Sequence, residues 1–434
     1  MIRIAHFSDL HYGGKTLAEA DRCFGAAIDR VITLGALGVQ AAVVSGDATD
    51  HALDLHAPAA CRLASQIRRL ADHCPVLMLQ GTFSHEPPGT LSTLRLLGGQ
   101  FPVHVADRIQ QVALTADIRW VESAAWRFDS PPVGAEAVFT CVPSANKAVV
   151  AATLGATEAS TAHGEQLAEL LRGFAAVNDR ARHEGIPTIA VSHGTVYGCV
   201  SEHGVPMAGF DHEFTTGALF AAHAQAFLLG HIHRHQGWHQ ESAVGRQAIA
   251  YAGSIGRFHF GEEGDKGFLL WEVGADGATY RLLPTPARRT IDITFEGRPD
   301  IERVRELVAS HELGGASVRV RWTVGEEDRS AVDRSAIEAV LADAAEVKLE
   351  GRIVAVQRSR AAGLSRLTSL SDKVSAWCRV AEVAAAPMLD CLSALDAESP
   401  DVIAQRVLSA ARPSGLQESA GELVLAKPEA VEAS

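Results

Sequence analysis

The sequence predicts an α/β fold, and three observations carry that prediction. Short apolar runs that read as buried strands alternate with longer stretches whose apolar residues recur at helical spacing. The runs end in residues of ligand type: Asp9 and His11, Asp47, His85 with Glu86, His193, and lastly His231 with His233. Polar groups at the carboxyl ends of strands are the usual layout of a site in open α/β sheets. The third observation is a change of character near Pro284 and Pro286, after which strands and helices resume in a smaller α+β pattern.

Composition narrows the class. The chain has 434 residues and is 47% hydrophobic, enough for a large buried core. Seven cysteines (Cys23, Cys61, Cys74, Cys141, Cys199, Cys378, Cys391) are scattered with no C-x-x-C pair. That argues against a disulfide framework and a zinc ribbon, and fits a reducing compartment. The opening M-I-R-I-A-H-F-S-D enters a strand without a signal-peptide apolar region, and no apolar run reaches the ~18 residues of a membrane span. A soluble, cytoplasmic protein is expected. The net charge of −13 is uneven: 20 Lys+Arg against 28 Asp+Glu in 1–284, 16 against 15 in 285–380, and 3 against 9 in 381–434. Metal-binding carboxylates would account for part of the acidity, so charge neither supports nor excludes a phosphate-backbone substrate.

In chain order, I-R-I-A-H-F-S reads as a buried first strand delivering Asp9 and His11, which share one side of an extended chain. Alone, this fragment reads equally as a helix cap followed by a chance histidine. A helix is expected over Leu17–Leu37, then a strand Q-A-A-V-V-S ending in G-D-A-T-D, with Asp47 directly after Gly46. Asp50 and His51 lie further into that loop as supporting residues. A helix over Pro58–Asp72 leads to P-V-L-M-L-Q and the exit G-T-F-S-H-E. Residues 101–145 read as short strands V-H-V, I-R-W-V and A-V-F-T-C-V, and Gly164–His183 as a helix. I-P-T-I-A-V-S ends at His193, and F-L-L-G-H-I-H ends in two imidazoles on one side of the chain after Gly230. A-I-A-Y-A-G-S-I, G-F-L-L-W-E-V and A-T-Y-R-L-L read as antiparallel strands. Beyond Pro286, R-T-I-D-I-T-F, S-V-R-V-R-W-T-V and V-K-L-E-G-R-I-V-A-V read as strands, with helices over Ile301–Ser310 and Arg334–Ala344. Ser371–Leu395 is an amphipathic helical stretch with a break expected at Pro387, and the acidic tail from about Pro413 is expected to be mobile. The boundaries are 1–284, 285–370, 371–412 and 413–434.

The collected strand-end residues are Asp9, His11, Asp47, His193, His231 and His233, with Ser84 and His85 beside them. Carboxylate and imidazole without thiolate suit two divalent ions such as Mn²⁺, Fe²⁺ or Zn²⁺. One bridging aspartate and two ions ~3.5–4 Å apart give the two-metal arrangement of phosphoester hydrolysis.

In this order, D-L-H, G-D-A-T-D, G-T-F-S-H-E, S-H-G and G-H-I-H resemble the calcineurin-like metallophosphoesterase superfamily. Y-A-G-S-I-G-R-F-H-F-G-E-E and K-G-F-L-L-W-E-V make the chain most similar, within it, to the nuclease subunits of SbcCD-type complexes, over about residues 1–370. The resemblance implies a four-layer α/β/β/α sandwich, a small α+β capping domain that contacts DNA, and C-terminal helices. Asp9, His11 and His233 would hold one ion, Asp47 would bridge, and His193 and His231 would hold the second. His85 would steer or protonate the leaving oxygen, and Mn²⁺ is the expected metal. The third motif departs from the family's Gly-Asn-His-Asp/Glu: Ser84 precedes His85 and takes the Asn's place as ligand, with two extra residues after Gly81.

The implied activity is a DNA exonuclease or endonuclease acting on double-strand ends or hairpins in repair and recombination, associated with the nucleoid. Arg288, Arg289, Arg319 and Arg321 would contact the phosphate backbone, although they read equally as solvated strand faces. The implied partner is a coiled-coil ATPase docking on Ser371–Leu395 through Val374, Trp377, Val380, Ala381 and Val383, and a homodimer is expected. Two alternatives stay open: a small-molecule phosphodiesterase of the same superfamily, and a weakly active DNA-end scaffold.

Overall fold

The computed structural model describes residues 1–34, 38–97, 99–144, 153, 163–207, 214–242, 245–355 and 363–410. The chain divides into two compact units, Met1–Val354 and Ala355–Ser434. The expected mobile tail 413–434 lies outside the described residues, as do Arg358 and Arg360, two further arginines of the segment 285–370.

The first unit opens with β1 (Ile2–Phe7), α1 (Leu17–Thr33), β2 (Ala41–Val44), α2 (Pro58–Ala71), β3 (Val76–Leu79) and β4 (Val103–Ala106). There follow β5 (Gln110–Thr115), β6 (Trp120–Glu122), β7 (Ala135–Val142), α3 (His163–His183), β8 (Thr188–His193), α4 (Thr216–Phe220) and β9 (Ala226–Gly230). Four further strands are β10 (Gln236–Ser242), β11 (Gly245–Tyr251), β12 (Gly267–Gly274) and β13 (Gly277–Pro284).

One ladder runs β4-β3-β2-β1-β12-β13, parallel from β4 to β1 and antiparallel at β12 and β13. A second runs β11-β9-β8-β7-β5-β6, parallel from β11 to β7, with β10 antiparallel on β11. A single residue pair, Arg246 with Gly277, joins them into one large, mostly parallel sheet.

Side-chain alternation sorts the strands' residues between faces. Ile2 and Ile4 of β1, Ala41 and Val43 of β2, Ile189 and Val191 of β8, and Ala226 and Leu228 of β9 share one buried cluster, so the two ladders pack on each other. On the outer face of the first ladder, Phe7, Ala42 and Val44 meet Phe24 and Ile28 of α1 and Leu63 and Ile67 of α2. On that of the second, Ala190, Phe227 and Leu229 meet Leu170, Leu171 and Phe174 of α3. Each large apolar side chain so buried contributes ~1.5–3 kcal/mol.

Three features differ from the sequence reading. β5 and β10 are unanticipated: β5 opens on two buried glutamines, and polar residues at buried positions erase the apolar pattern that marks a strand. Gln111 is satisfied there by Thr140 Oγ1 and Asn178 Oδ1, at 3.0 and 3.2 Å. β11, expected antiparallel, pairs parallel with β9 and takes its antiparallel partner from β10.

After Pro284, β14 (Thr290–Glu296), α5 (Ile301–Ala309), β15 (Ser317–Gly325), α6 (Arg334–Val340) and β16 (Glu346–Val354) form a separate three-stranded sheet. All its pairs are parallel, because each strand reaches the next through a helix. Asp300 and Asp333 cap the two helices by accepting from Glu302 N and Ala336 N.

In the second unit α7 (Leu370–Val380), α8 (Ala385–Ala397) and α9 (Pro400–Ala410) follow in sequence. Ser369 caps α7. The break falls at residues 381–384, where Glu382 has φ +54°, and not at Pro387, which sits in the first turn of α8 where its missing N–H has no partner to lose. Val380 and Val383 are exposed and Trp377 is partly so. Among the described residues no helix is long and apolar enough to cross a membrane.

His6 shows how tightly the shared core is specified. It is fully buried, its Nε2 lies 2.8 Å from Ser45 Oγ, and its Nδ1 accepts from Trp271 Nε1 at 3.3 Å. Indole nitrogen can only donate, so the proton sits on Nε2 and the ring is neutral. Burial, with the charge of His235 second, pushes its pKa down to about 3. The unfolded chain protonates near 6.5, so stability from this residue is complete above that pH and is lost as the pH falls towards 3. We expect wild-type unfolding free energy to fall faster than that of His6→Gln by roughly 1.4 kcal/mol per pH unit across this window. Urea unfolding between pH 7 and 4 measures it. Parallel pH dependences would remove His6 as the cause.

Candidate metal centre

The exits of both ladders open onto one place. After β1 and β2 the loops run together, with Asp9 N donating to Gly46 O (3.1 Å) and His11 N to Asp47 O (3.0 Å). Asp9, His11, Asp47 and His231 have φ of +50°, +46°, +51° and +101°, conformations L residues rarely adopt. Each costs on the order of 1–3 kcal/mol, held by the surrounding fold. The glycines before two of them are steric necessities: a Cβ on Gly46 would lie 2.3 Å from His193 Nδ1, and one on Gly230 2.2 Å from Ser45 O. Crowding of backbone against ligand side chains is the reason for glycine at both exits.

Three overlapping groups have ligand atoms all within 4.8 Å of one another: Asp9, His11 and His233; His11, Asp47 and His85; and Asp47, His193 and His231. His11 and Asp47 each belong to two groups. Asp47 is the hub. Its Oδ1 accepts from Thr82 N at 2.6 Å, and its Oδ2 lies 2.9 Å from His85 Nδ1, 3.2 Å from His193 Nε2 and 3.1 Å from Thr82 Oγ1. Burial alone would raise the Asp47 carboxyl, but the charge and hydrogen bond of His193, with the hydrogen bond of His85 and the charge of His11, hold it far below the usual carboxylate range. Against its own burial, His193 is pushed up to about 10 by the Asp47 charge. The hydrogen bond to Asp47 raises His85. The buried carboxylate thus draws both neighbouring imidazoles towards their charged form.

Asp9 Oδ2 accepts from Ser8 Oγ at 2.6 Å, and its carboxylate from His231 N at 3.2 Å. His11 Nε2 and His233 Nε2 face each other at 2.9 Å, and the buried Nδ1 of His233 has no hydrogen-bond partner among the described residues. Burial keeps His233 well below its ordinary pKa, in the neutral form that ligates. On the outer side Asp50 Oδ1 lies 3.7 Å from His11 Nδ1, and that interaction lowers Asp50 to about 2. Oxygen and neutral imidazole donors crowded in this way fit divalent ions.

The third exit corrects the sequence reading. Ser84 is exposed and does not reach the cluster; Thr82 does. His85 N and Glu86 N both donate to Thr82 O, at 3.0 and 2.7 Å, so residues 83–84 loop out into solvent. Buried Glu86 fastens the turn by accepting from Ala48 N (2.5 Å), Thr49 N (3.2 Å) and Gly81 N (2.6 Å), and burial pushes it up to about 7. The signal for Thr82 was its place directly after the exit glycine, as Asp47 follows Gly46 and His231 follows Gly230. The Glu262–Lys266 pair also escaped the sequence reading. It is fully buried, and Lys266 Nζ donates to His233 O at 2.8 Å, holding that histidine's backbone.

Beside the cluster a cleft of about 1240 Å³ is lined by residues including Lys15, Asp50, His259, Phe260, Arg288, Arg319, Arg321 and Lys348. Arg319 and Arg321 both pair with Asp292, and Arg319 lies over the Phe260 ring at 5.1 Å. Arg288 donates to Arg257 O (2.8 Å) and Phe258 O (2.9 Å) and pairs with Glu346. Arg289 is not among the lining residues and pairs with Glu312.

No family model matches the chain, and no curated protein matches it. Among solved structures it matches the sulfate thiohydrolase SoxB of Thermus thermophilus in complex with glycerol, with a TM-score of 0.35 and 14% identity. The match covers 65% of this chain, which spans about 56% of that protein's length.

The Thr82 placement is directly testable by calorimetric Mn²⁺ titration. Thr82→Val is expected to weaken one site about 10-fold, whereas Ser84→Ala changes neither. The reverse pattern would restore Ser84 as the ligand.

Proposed function

We propose that this chain is a two-metal phosphodiester hydrolase of the calcineurin-like metallophosphoesterase kind, with its ladders and helices forming a four-layer sandwich. The observation that carries the reading is the sharing of Asp47 between two ligand groups, which suits one carboxylate serving two ions. Asp9, His11 and His233 would hold one ion and His193 and His231 the other. Bound ions of this type acidify water and stabilise charge on phosphoryl oxygens. The protein's own work is to hold the donors. Thr82 N fixes Asp47 Oδ1 and leaves Oδ2 facing the imidazoles, and Glu86 locks the loops that carry both.

We propose DNA as the substrate, cut as an exonuclease or endonuclease at ends or hairpins in repair with Mn²⁺. The segment 285–370 would act as the capping domain, and 371–395 would dock a coiled-coil ATPase. Support comes from the position of Arg288, Arg319, Arg321, Lys15 and Lys348 along the cleft beside the cluster. One observation favours a smaller phosphodiester instead: those arginines are already paired with Asp292 or Glu346, and Lys348 with Glu350. Neutralised cations offer little to a long polyanion.

Mn²⁺-supported cleavage of end-labelled linear duplex and of bis(4-nitrophenyl) phosphate separates the readings. Asp47→Asn is expected to lower both rates about 100-fold or more. Cleavage of the small diester with duplex untouched, even with an ATPase partner added, would assign the smaller substrate. No cleavage of either would leave a scaffold.

A further inference from the structure

We propose that His85 is a metal ligand of this centre, completing the set around the ion held by Asp9, His11 and His233, in place of the leaving-group role that its motif implies. The proposal rests on the metal-centre reading above and concerns one side chain within it.

Geometry carries it. The ligand atoms of His11, Asp47 and His85 all lie within 4.8 Å, the same closeness that groups Asp9 with His11 and His233. The rings of His11 and His85 meet edge to face with centroids 4.9 Å apart, and those of His11 and His233 are 4.8 Å apart. His11 is thus flanked on both sides by imidazoles that could serve one cation. His85 Nδ1 addresses the same oxygen, Asp47 Oδ2, that faces His193 Nε2. Nδ1 of this ring is aimed at the hub carboxylate, so a proton for a leaving oxygen would have to come from Nε2.

The backbone explains the difference. Two residues, Phe83 and Ser84, are inserted between Thr82 and His85 and expelled to the surface. The turn closes through Thr82 O, Thr49 Oγ1 donates to His85 O at 3.0 Å, and Glu86 pins the loop beneath. The chain therefore folds back and sets His85 over Asp47. Thr82, a short hydroxyl, is the added donor near His193, while the other ion gains an imidazole, so the two sites should differ in strength.

The test is Mn²⁺ binding to the full chain, followed by the electron paramagnetic resonance of free Mn²⁺, for wild type, His85→Ala and His85→Asn. Thermal melting of each apoprotein checks folding. We expect two affinities in wild type. The tighter should weaken at least 10-fold in His85→Ala and less in His85→Asn, whose amide oxygen can still ligate, while the weaker stays within about 2-fold. Unchanged Mn²⁺ binding in His85→Ala, with slower diester cleavage, would overturn the proposal and return His85 to the leaving-group role. Wild type that binds no Mn²⁺ would overturn the metal centre itself, a result distinguishable from the first.

Discussion

Asp47 is a carboxylate buried where two strand ladders meet, and a buried charge is tolerated only when it is paired and hydrogen-bonded. Each neighbouring element answers that demand. The third exit supplies Thr82 N and the His85 ring, and β8 supplies His193. The exit of β1 brings His11 close enough to join Asp47 in one ligand group. Several loops converge on this one carboxylate, and four residues of the cluster have left-handed backbone, two of them preceded by glycines that have no room for a Cβ. Strain gathered at one point, rather than spread over the sheet, is what a site under functional constraint looks like.

The ladders make this possible by packing their apolar faces together, so that carboxyl ends from different parts of the chain arrive within hydrogen-bonding distance. His193 Nδ1 at 2.8 Å from Ser45 O is the clearest contact across that seam. Further out, buried Glu19 accepts from Arg257 N and Arg288 N, tying the start of the three-stranded sheet to the loop that follows β11. That tie forms one wall of the cleft beside the cluster. Charge in the cleft is largely self-compensated, which fits a protein carrying a net −13.

Much of the fold was legible because strand exits announce themselves. An apolar run, a glycine and a ligand-type residue recur at β2 and β9, and periodicity gave α1, α2 and α3 within a few residues. What stayed hidden has physical causes. β5 begins with buried glutamines whose amides are satisfied only by distant residues, so no local pattern marks it. Ser84 looked like the replacement for an asparagine because it precedes His85, but the turn is counted from Gly81, and backbone hydrogen bonds decide which hydroxyl points inward. The arginines beyond Pro286 were visible as a group; the partners of Arg288, Arg319 and Arg321 lie on strands of the parallel sheet distant along the chain, a pairing that spacing cannot show.

On the proposed reading, the Asp47 carboxylate serves two ions. Anomalous diffraction from crystals soaked in Mn²⁺ locates them. Two peaks are expected on either side of Asp47, one by Asp9, His11 and His233 and the other by His193 and His231. One peak, or two that do not share Asp47, would contradict it.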